Sequence, residues 1–175
     1  MRDLRLPADG SVGATAEDAR GQRPRRPRED AFHDVPADLA TMAPGEVIRS
    51  RRVRVALLGL VPQSRVEAWQ VAYRSTARHG EPEVAVTTVM LRRGAEPTGL
   101  VAYQCAIDAV SDRCFPSYAL RAGARAWGAL PQFEMVLIAR LLDLGYAVSA
   151  CDHEGLLGTF AAPREPGHRV LDGVR

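Results

Sequence analysis

The 175-residue sequence lacks the features that would mark a membrane-spanning or strongly charged protein. It has no lysine: all 23 basic residues are arginine, and 21 acidic residues leave a formal net charge of only +2. The longest stretch without a charged residue, Pro97 to Ile107, has eleven residues, whereas a transmembrane helix needs about 20. We therefore expect no membrane span, and the overall charge is too balanced to predict a nucleic acid or an anionic membrane as partner.

Short motifs of common enzymes and metal sites are also missing. No Gly-x-Ser-x-Gly occurs, so the sequence contains no nucleophile elbow, and it has no Gly-rich loop of the kind that holds a phosphate. The three cysteines, Cys105, Cys114 and Cys151, form no Cys-x-x-Cys pair, so we expect neither a metal nor a cofactor. No apolar secretory segment follows Met1-Arg2, which predicts a cytoplasmic chain or a misplaced start.

Composition divides the chain into a short tail and one domain. Residues 1–30 contain seven arginines and six acidic residues, with glycine and proline between them. Such a segment cannot bury apolar surface, and proline breaks helices, so we expect a disordered tail. Residues 31–175 are long enough and apolar enough for a single folded domain.

The first part of that domain has the alternation typical of strands. Val47 to Leu58 alternates arginine with apolar residues, and Glu67 to Thr76 is rich in aromatic and β-branched residues. A third strand is predicted for Val84 to Leu91. The turn between the second and third strands is too short for a crossover, so they should be antiparallel neighbours.

The second part is typical of a βαβ unit. Gly99 to Ile107 is nearly continuously apolar and predicts a strand buried on both faces. Phe133 to Leu144 predicts a buried helix that ends at Gly145, and Tyr146 to Cys151 a second buried strand. A last helix is expected from Pro166 onward. The fold class is therefore α/β, with antiparallel first strands followed by a parallel βαβ unit.

Polar residues follow both strands of that unit, where an open α/β sheet places its chemistry. Asp108 follows the first strand, and its position is equally compatible with facing a ligand and with capping the next turn. Asp152, His153 and Glu154 follow the second strand and would form part of the rim of a binding site. Because adjacent side chains diverge in direction, a hydrogen-bonded loop is favoured over a metal or acid–base cluster.

Several short segments, each weak alone, occur in a fixed order across residues 30–175. They are Pro44-Gly45-Glu46-Val47, Ala68-Trp69-Gln70-Val71-Ala72-Tyr73, Tyr103-Gln104-Cys105-Ala106-Ile107-Asp108, Cys114-Phe115-Pro116-Ser117-Tyr118, Asp152-His153-Glu154-Gly155 and Gly167-His168-Arg169-Val170. Together they resemble the secretory lipase family of α/β-hydrolases.

The resemblance implies the N-terminal half of an α/β-hydrolase sheet, ending before the nucleophile elbow. The two buried strands would be adjacent, and Asp108 would contribute to the oxyanion hole, where each donor is worth about 2.7–4 kcal/mol. Cys114 is similar to a family cysteine that forms a disulfide with a distant downstream partner.

The resemblance also implies a secreted parent enzyme that hydrolyses carboxylic esters, chiefly acylglycerols, by Ser-His-Asp acyl transfer. The nucleophile and the triad Asp and His would lie beyond Arg175, so we expect this chain to supply the oxyanion side and to be inactive alone. The alternative is a non-catalytic binding module built on the half sheet. A fragment would leave a strand edge unpaired and prone to self-association, whereas a cleanly monomeric chain would favour the module.

Overall fold

The computed structural model describes residues 23–107, 111–158 and 164–175, which contain one mixed five-stranded sheet. The strands of the sheet are β1 (Val47–Val53), β4 (Val66–Thr76), β5 (Pro82–Arg92), β6 (Gly99–Tyr103) and β7 (Tyr146–Cys151). A separate small hairpin is formed by β2 (Ala56–Leu57) and β3 (Val61–Pro62). The helices are α1 (Pro116–Ala119), α2 (Leu130–Asp143) and α3 (Glu165–Asp172).

The strands lie in the order β1-β4-β5-β7-β6. All neighbours are antiparallel except β6 and β7, which are parallel. The predicted antiparallel pairing of the second and third strands is confirmed: β4 and β5 stay in register from Val66 opposite Arg92 to Thr76 opposite Pro82. Gly80 closes the turn between them at φ +94°, a left-handed backbone conformation that favours glycine.

The predicted βαβ unit is present and connects β6 through α2 to β7. Met135, Ile138 and Leu142 recur at helical spacing on the buried face of α2 and pack in the same core as residues of β7. Gly145 ends the connection at φ +90°, and its carbonyl accepts the N–H of Thr98 at 2.8 Å. The turn after the helix is thus bonded to the residue that precedes β6.

Apolar cores lie on both faces of the sheet. One face carries α2, α1 and the N-terminal segment, with a central core of thirteen buried residues and a smaller one around Phe32 and Ala72. The other face carries α3, where Val170 packs against Tyr73 and Cys151. The sheet is therefore the middle layer of a three-layer α/β arrangement.

Two strand predictions need correction. The strand that begins at Val47 ends at Val53, because the chain then leaves the sheet to form the β2–β3 hairpin. The strand that begins at Gly99 ends at Tyr103 and is half exposed, with Leu100 and Ala102 accessible. It lies at the end of the sheet, so its outer edge has no strand beside it among the described residues.

The predicted disordered tail, residues 1–30, also includes residues that are folded. Residues 1–22 lie outside the described residues, but Pro27–Glu29 and Ala31–His33 form 3-10 helices, and the second of them packs on the sheet through Phe32. Asp30 between them is buried, and its carboxylate contacts Arg51 at 2.6 Å. A charged segment is disordered when its charges have no partner in the folded domain. Here Arg51 on β1 is the partner of Asp30, so this part of the segment is folded.

Candidate functional site

The carboxyl ends of β6 and β7 lie side by side, as the sequence predicts. Their register runs from Gly99 opposite Tyr146 to Tyr103 opposite Ala150. The chain segments that follow them, from residue 104 and from residue 152, therefore leave the sheet at the same edge. This is the edge at which open α/β sheets bind ligands.

Asp152, the first residue after β7, is buried at this edge. Its backbone N–H donates to the carbonyl of Val86 at 2.9 Å, which continues the sheet by one residue. Its Oδ1 accepts the backbone N–H of Ser117, 2.8 Å away at the start of α1. This carboxylate thus joins the end of β7 to the crossover segment that follows β6.

The electrostatics of Asp152 set it apart from an ordinary capping residue. Burial raises the pKa of this carboxyl to about 7, and Ser117, through its side chain and its backbone N–H, together with the charge of Arg169 offsets only part of that effect. Its Oδ2 is buried and has no hydrogen-bond partner among the described residues. A carboxyl group with a pKa near neutrality in a sheet-end position is a recurring property of functional sites.

His153 and Glu154 do not join Asp152 in a common cluster of ligands. Burial lowers the pKa of the half-buried His153, whose carbonyl accepts a hydrogen bond from Arg169 at 2.9 Å. Glu154 is buried, and a Cβ at Gly155 would overlap the Arg169 guanidinium. The contacts of the His153 carbonyl and Gly155 with Arg169 support the expected structured loop. Among the described residues there is no cluster of three or more His, Cys, Asp or Glu that could hold a metal.

Glu134 is part of this edge and sequence reasoning missed it. It lies on α2, and both of its carboxylate oxygens accept the backbone N–H of Ala106 at 3.1 Å. The neighbouring Cys105 is buried, and burial together with Glu134 raises the pKa of its thiol far above the ordinary value. Cys105 is therefore an inert core thiol, as its apolar sequence context indicates.

Arg169 is the second residue that the sequence did not reveal. It lies on α3, is buried, and binds both oxygens of Glu83 on β5 at 2.7 Å. The Tyr73 hydroxyl donates to the Arg169 carbonyl at 2.7 Å, and Ser75 donates to Asp172 at 2.9 Å. These bonds hold α3 and, through the His153 carbonyl, the loop after β7. Only the long-range pairing with Glu83 distinguishes this arginine from the many exposed ones.

Two predicted site residues need separate mention. Asp108 lies outside the described residues, so its role in an oxyanion hole stays a prediction. Cys114 is partly buried, and none of the three cysteines, all of which are described, forms a disulfide within the chain.

The hydrogen bonds among the described residues of the site do not pair a nucleophilic side chain with a base. In the described part of the chain, no serine hydroxyl is bonded to an imidazole. The buried Cys151 thiol contacts the Tyr73 hydroxyl, and burial raises its pKa to about 12. The site therefore provides buried carboxyl and backbone groups at the sheet edge.

Comparison with known proteins shows which family this chain resembles. Residues 120–175 match the family described as secretory lipase. A "probable inactive lipase" of Mycobacterium tuberculosis is 50% identical over 87% of this chain and 35% of its own length, and lipase 4 of Candida albicans is 38% identical over 87% and 33%. The chain is similar to the secretory lipase family.

The solved structures agree with this family. Candida antarctica lipase A, crystallised in its closed state, superimposes with a TM-score of 0.73 at 30% identity, over 86% of this chain and 35% of that one. The resemblance drawn from the sequence is thus confirmed, and so is the α/β class. The chain spans about a third of the length of the curated relatives it matches. No helix in the described ranges combines the length and the apolar character needed to cross a bilayer.

Proposed function

We propose that this chain forms one wall of an ester-hydrolysing site, on the oxyanion side, at the carboxyl edge of β6 and β7. The observation that carries the proposal is the parallel pairing of these strands, which brings the segments after Tyr103 and Cys151 to one edge. The resemblance to this family suggests the reaction class, hydrolysis of carboxylic esters such as acylglycerols by Ser-His-Asp acyl transfer.

In this proposal the chain stabilises charge and does not itself attack the ester. The backbone N–H of Asp108 would donate to the oxygen that becomes negative when the ester carbonyl is attacked. Asp152 and Glu134 would position this donor, since they bond Ser117 and Ala106 on either side of it. The nucleophile and its base would come from polypeptide that corresponds to the remaining two-thirds of the relatives.

The first test is whether the 175-residue chain hydrolyses an ester by itself. We expect no turnover of p-nitrophenyl butyrate above a heat-treated control, because the described residues hold no serine bonded to an imidazole. Turnover that survives repurification and disappears on heating would show that the chain carries its own nucleophile, contrary to the proposal.

The second test places the chain in an active enzyme. Residues 23–175 replace the matching third of Candida albicans lipase 4, and tributyrin hydrolysis is measured after circular dichroism has shown that the chimera is folded. Asp108→Pro, which removes the backbone N–H, should lower kcat by about 10²–10³ with little change in KM. Asp108→Ala keeps the N–H and is the matched control. Full activity of the proline variant would contradict the oxyanion role.

A non-catalytic binding module is the second candidate. It is favoured by the name "probable inactive lipase" given to the 50% identical relative. The chimera distinguishes the two candidates. If the chain is a binding module that has lost the geometry of the oxyanion side, the chimera should fold but should not hydrolyse tributyrin.

A further inference from the structure

The backbone of Ser117, at the start of α1, is held on two sides by side chains from distant parts of the chain. Its N–H donates to the Oδ1 of Asp152 at 2.8 Å, and its carbonyl accepts a hydrogen bond from the Nε2 of Gln70 on β4. Both bonds are buried, and they join residues 35 and 47 positions apart in sequence. The proposed chemistry uses the first bond and leaves Gln70 without a role.

The Ser117 carbonyl needs this outside donor because α1 ends one turn after it begins. In a longer α-helix the N–H of Arg121 would donate to this carbonyl, since helical bonds join residues four apart. Here the Arg121 N–H donates instead to the carbonyl of Tyr118 at 3.0 Å. The fully buried Gln70 therefore supplies the bond that Arg121 would give in a longer helix.

Arg51 determines which end of the Gln70 amide faces Ser117. Two nitrogens of its guanidinium group, Nε and one terminal nitrogen, donate to the Oε1 of Gln70 at 2.8 and 2.6 Å. Because an arginine can only donate, the amide oxygen faces Arg51 and the amide N–H groups face the other way. Arg51 is fixed in turn by the Asp30 carboxylate at 2.6 Å and by the ring of Phe32, whose centroid lies 4.1 Å away. The N-terminal segment thus orients the donor to Ser117.

Ser117 ends the stretch of chain that carries the proposed oxyanion donor. This stretch leaves the sheet after Tyr103. Glu134 bonds it at Ala106, and the second bonded position is Ser117. Asp108 lies between these two positions in sequence. A backbone N–H stabilises a developing negative charge only when it is held at the correct distance, so the bonds that fix both ends of the stretch bear on catalysis.

We propose that Gln70 is a positioning residue of the ester-hydrolysing site and holds the Ser117 carbonyl while Asp152 holds the Ser117 N–H. The proposal rests on the proposed function, because the donor that Gln70 helps to place is the Asp108 N–H. Gln70 touches no substrate in this proposal and acts only through Ser117. It does so from β4, which β5 separates from β7.

The first test measures how firmly Ser117 is held in the 175-residue chain, without turnover. Two variants remove the donor. Gln70→Glu keeps an acceptor for Arg51, and Gln70→Met has a similar length but neither donor nor acceptor. In both, the Ser117 amide proton should exchange with deuterium about 10-fold faster than in the parent, relative to the amides of β4 and β5. Mass spectrometry at single-residue resolution measures the exchange.

The matched control is Thr87→Val. It breaks another buried hydrogen bond of the sheet, from Thr87 to Ser149 at 2.7 Å, on the face that carries α3. We expect this variant to leave the exchange of the Ser117 amide unchanged. Circular dichroism shows whether each variant is folded. Gln70→Glu, which retains the bond to Arg51, decides the test if Gln70→Met does not fold.

The second test uses the chimera with Candida albicans lipase 4 and tributyrin. Both Gln70 variants should lower kcat about 10-fold and leave KM unchanged, because an oxyanion donor acts in the transition state, whereas Thr87→Val should change neither value. A double variant shows whether Gln70 acts through the donor. In the Asp108→Pro background, Gln70→Glu should cause no further loss of kcat, since the donor is already absent.

Three outcomes would overturn the proposal. The first is unchanged Ser117 exchange in a folded Gln70 variant, and the second is equal effects of Gln70→Glu and Thr87→Val. The third is a double variant in which the kcat losses of Gln70→Glu and Asp108→Pro multiply. Full activity of Asp108→Pro would instead refute the oxyanion role, and with it the chemistry of this proposal, even where the exchange shows that Gln70 holds Ser117.

Discussion

The fold buries one aspartate beside β1 and another after β7, and the pKa values of the two carboxyl groups shift in opposite directions. Beside β1, Asp30 bonds Arg51 at 2.6 Å and lies 3.8 Å from Arg121. Burial alone would raise its pKa, but the bond and charge of Arg51 bring the pKa below the ordinary value. Beyond β7, Asp152 has no bonded cation among the described residues, and burial raises its pKa to about 7.

This difference separates a carboxylate whose charge is compensated from one whose charge is only partly compensated. Asp30 is ionised and compensated, so it stabilises the fold by holding the N-terminal segment on the sheet. Asp152 is only partly compensated and takes up or releases a proton near neutral pH, at a stability cost that the rest of the fold must offset. Uncompensated groups of this kind concentrate where a protein does chemistry.

The largest expected effect is from removing the compensated carboxylate. Asp30→Ala leaves two buried guanidinium groups, those of Arg51 and Arg121, without the carboxylate they share, and should lower the free energy of unfolding by about 3–5 kcal/mol. Urea denaturation at pH 7 measures it. Glu67→Ala, which breaks only contacts with exposed arginines, is the control and should change stability by less than about 1 kcal/mol. Similar losses in both variants would refute the distinction.

A smaller, pH-dependent effect of the opposite sign is expected at Asp152. Its folded pKa lies above the unfolded value of about 3.9, so its contribution to stability is present below pH 4 and is lost as the pH rises to about 7. Asp152→Asn, whose amide oxygen can still accept the Ser117 N–H, should be more stable than the parent at pH 8, by up to about 4 kcal/mol.

The same denaturation series checks this sign. The advantage of Asp152→Asn should shrink toward zero at pH 4, whereas Asp30→Asn should be less stable than the parent at pH 7 and lose that deficit as the pH falls below 4. A difference between Asp152→Asn and the parent that is constant from pH 4 to pH 8 would contradict the raised pKa.

The smallest effect on stability is expected from substitutions in the two outer strands, β1 and β6. These substitutions should instead differ in how they change the self-association of the chain. β1 has three arginines and is covered by the N-terminal segment, through bonds from Arg49 to the carbonyls of Phe32 and Asp34 at 2.9 Å. β6 has no charged residue and no cover at its outer edge among the described residues. Such an edge pairs readily with another strand.

Light scattering after size-exclusion chromatography compares the two edges. We expect the chain to self-associate, Leu100→Lys on β6 to reduce that association, and Val47→Lys on β1 to leave it unchanged, with stability altered by less than about 1 kcal/mol in either variant. A parent chain that remains monomeric at all concentrations would show that the β6 edge is closed, and would favour the binding module.

Local pattern predicted the elements whose character is set by their own residues. The strand Tyr146–Cys151 has the predicted bounds, and the helix before it begins only three residues earlier than the predicted Phe133. The strand is apolar where it is buried, but the prediction of a buried helix is correct for one face only, because Phe133, Val136 and Leu137 on the other face are more than half exposed. The predicted length of β6 was wrong, because a continuous apolar sequence does not indicate how many of its residues pair with the neighbouring strand.

The buried polar groups could not be predicted in this way. Arg51 and Arg169 are nearly inaccessible, yet in sequence they resemble the exposed arginines around them. Each is buried because a carboxylate distant in sequence, Asp30 or Glu83, meets it in the fold. Such pairing depends on tertiary contact. The resemblance of ordered segments supplied the fold family, and the contacts of Asp152 and Glu134 with the crossover became visible only in three dimensions.

The attachment of α3 has a consequence for how the chain fluctuates. This helix is bonded to β4 through Tyr73 and Ser75 and to β5 through Glu83. An isolated eight-residue helix would open freely, but these bonds make its opening depend on the opening of the two central strands. Its backbone amide protons should therefore exchange with deuterium about as slowly as those of β4, and the C-terminal end of the chain should be one cooperative unit with the middle of the sheet.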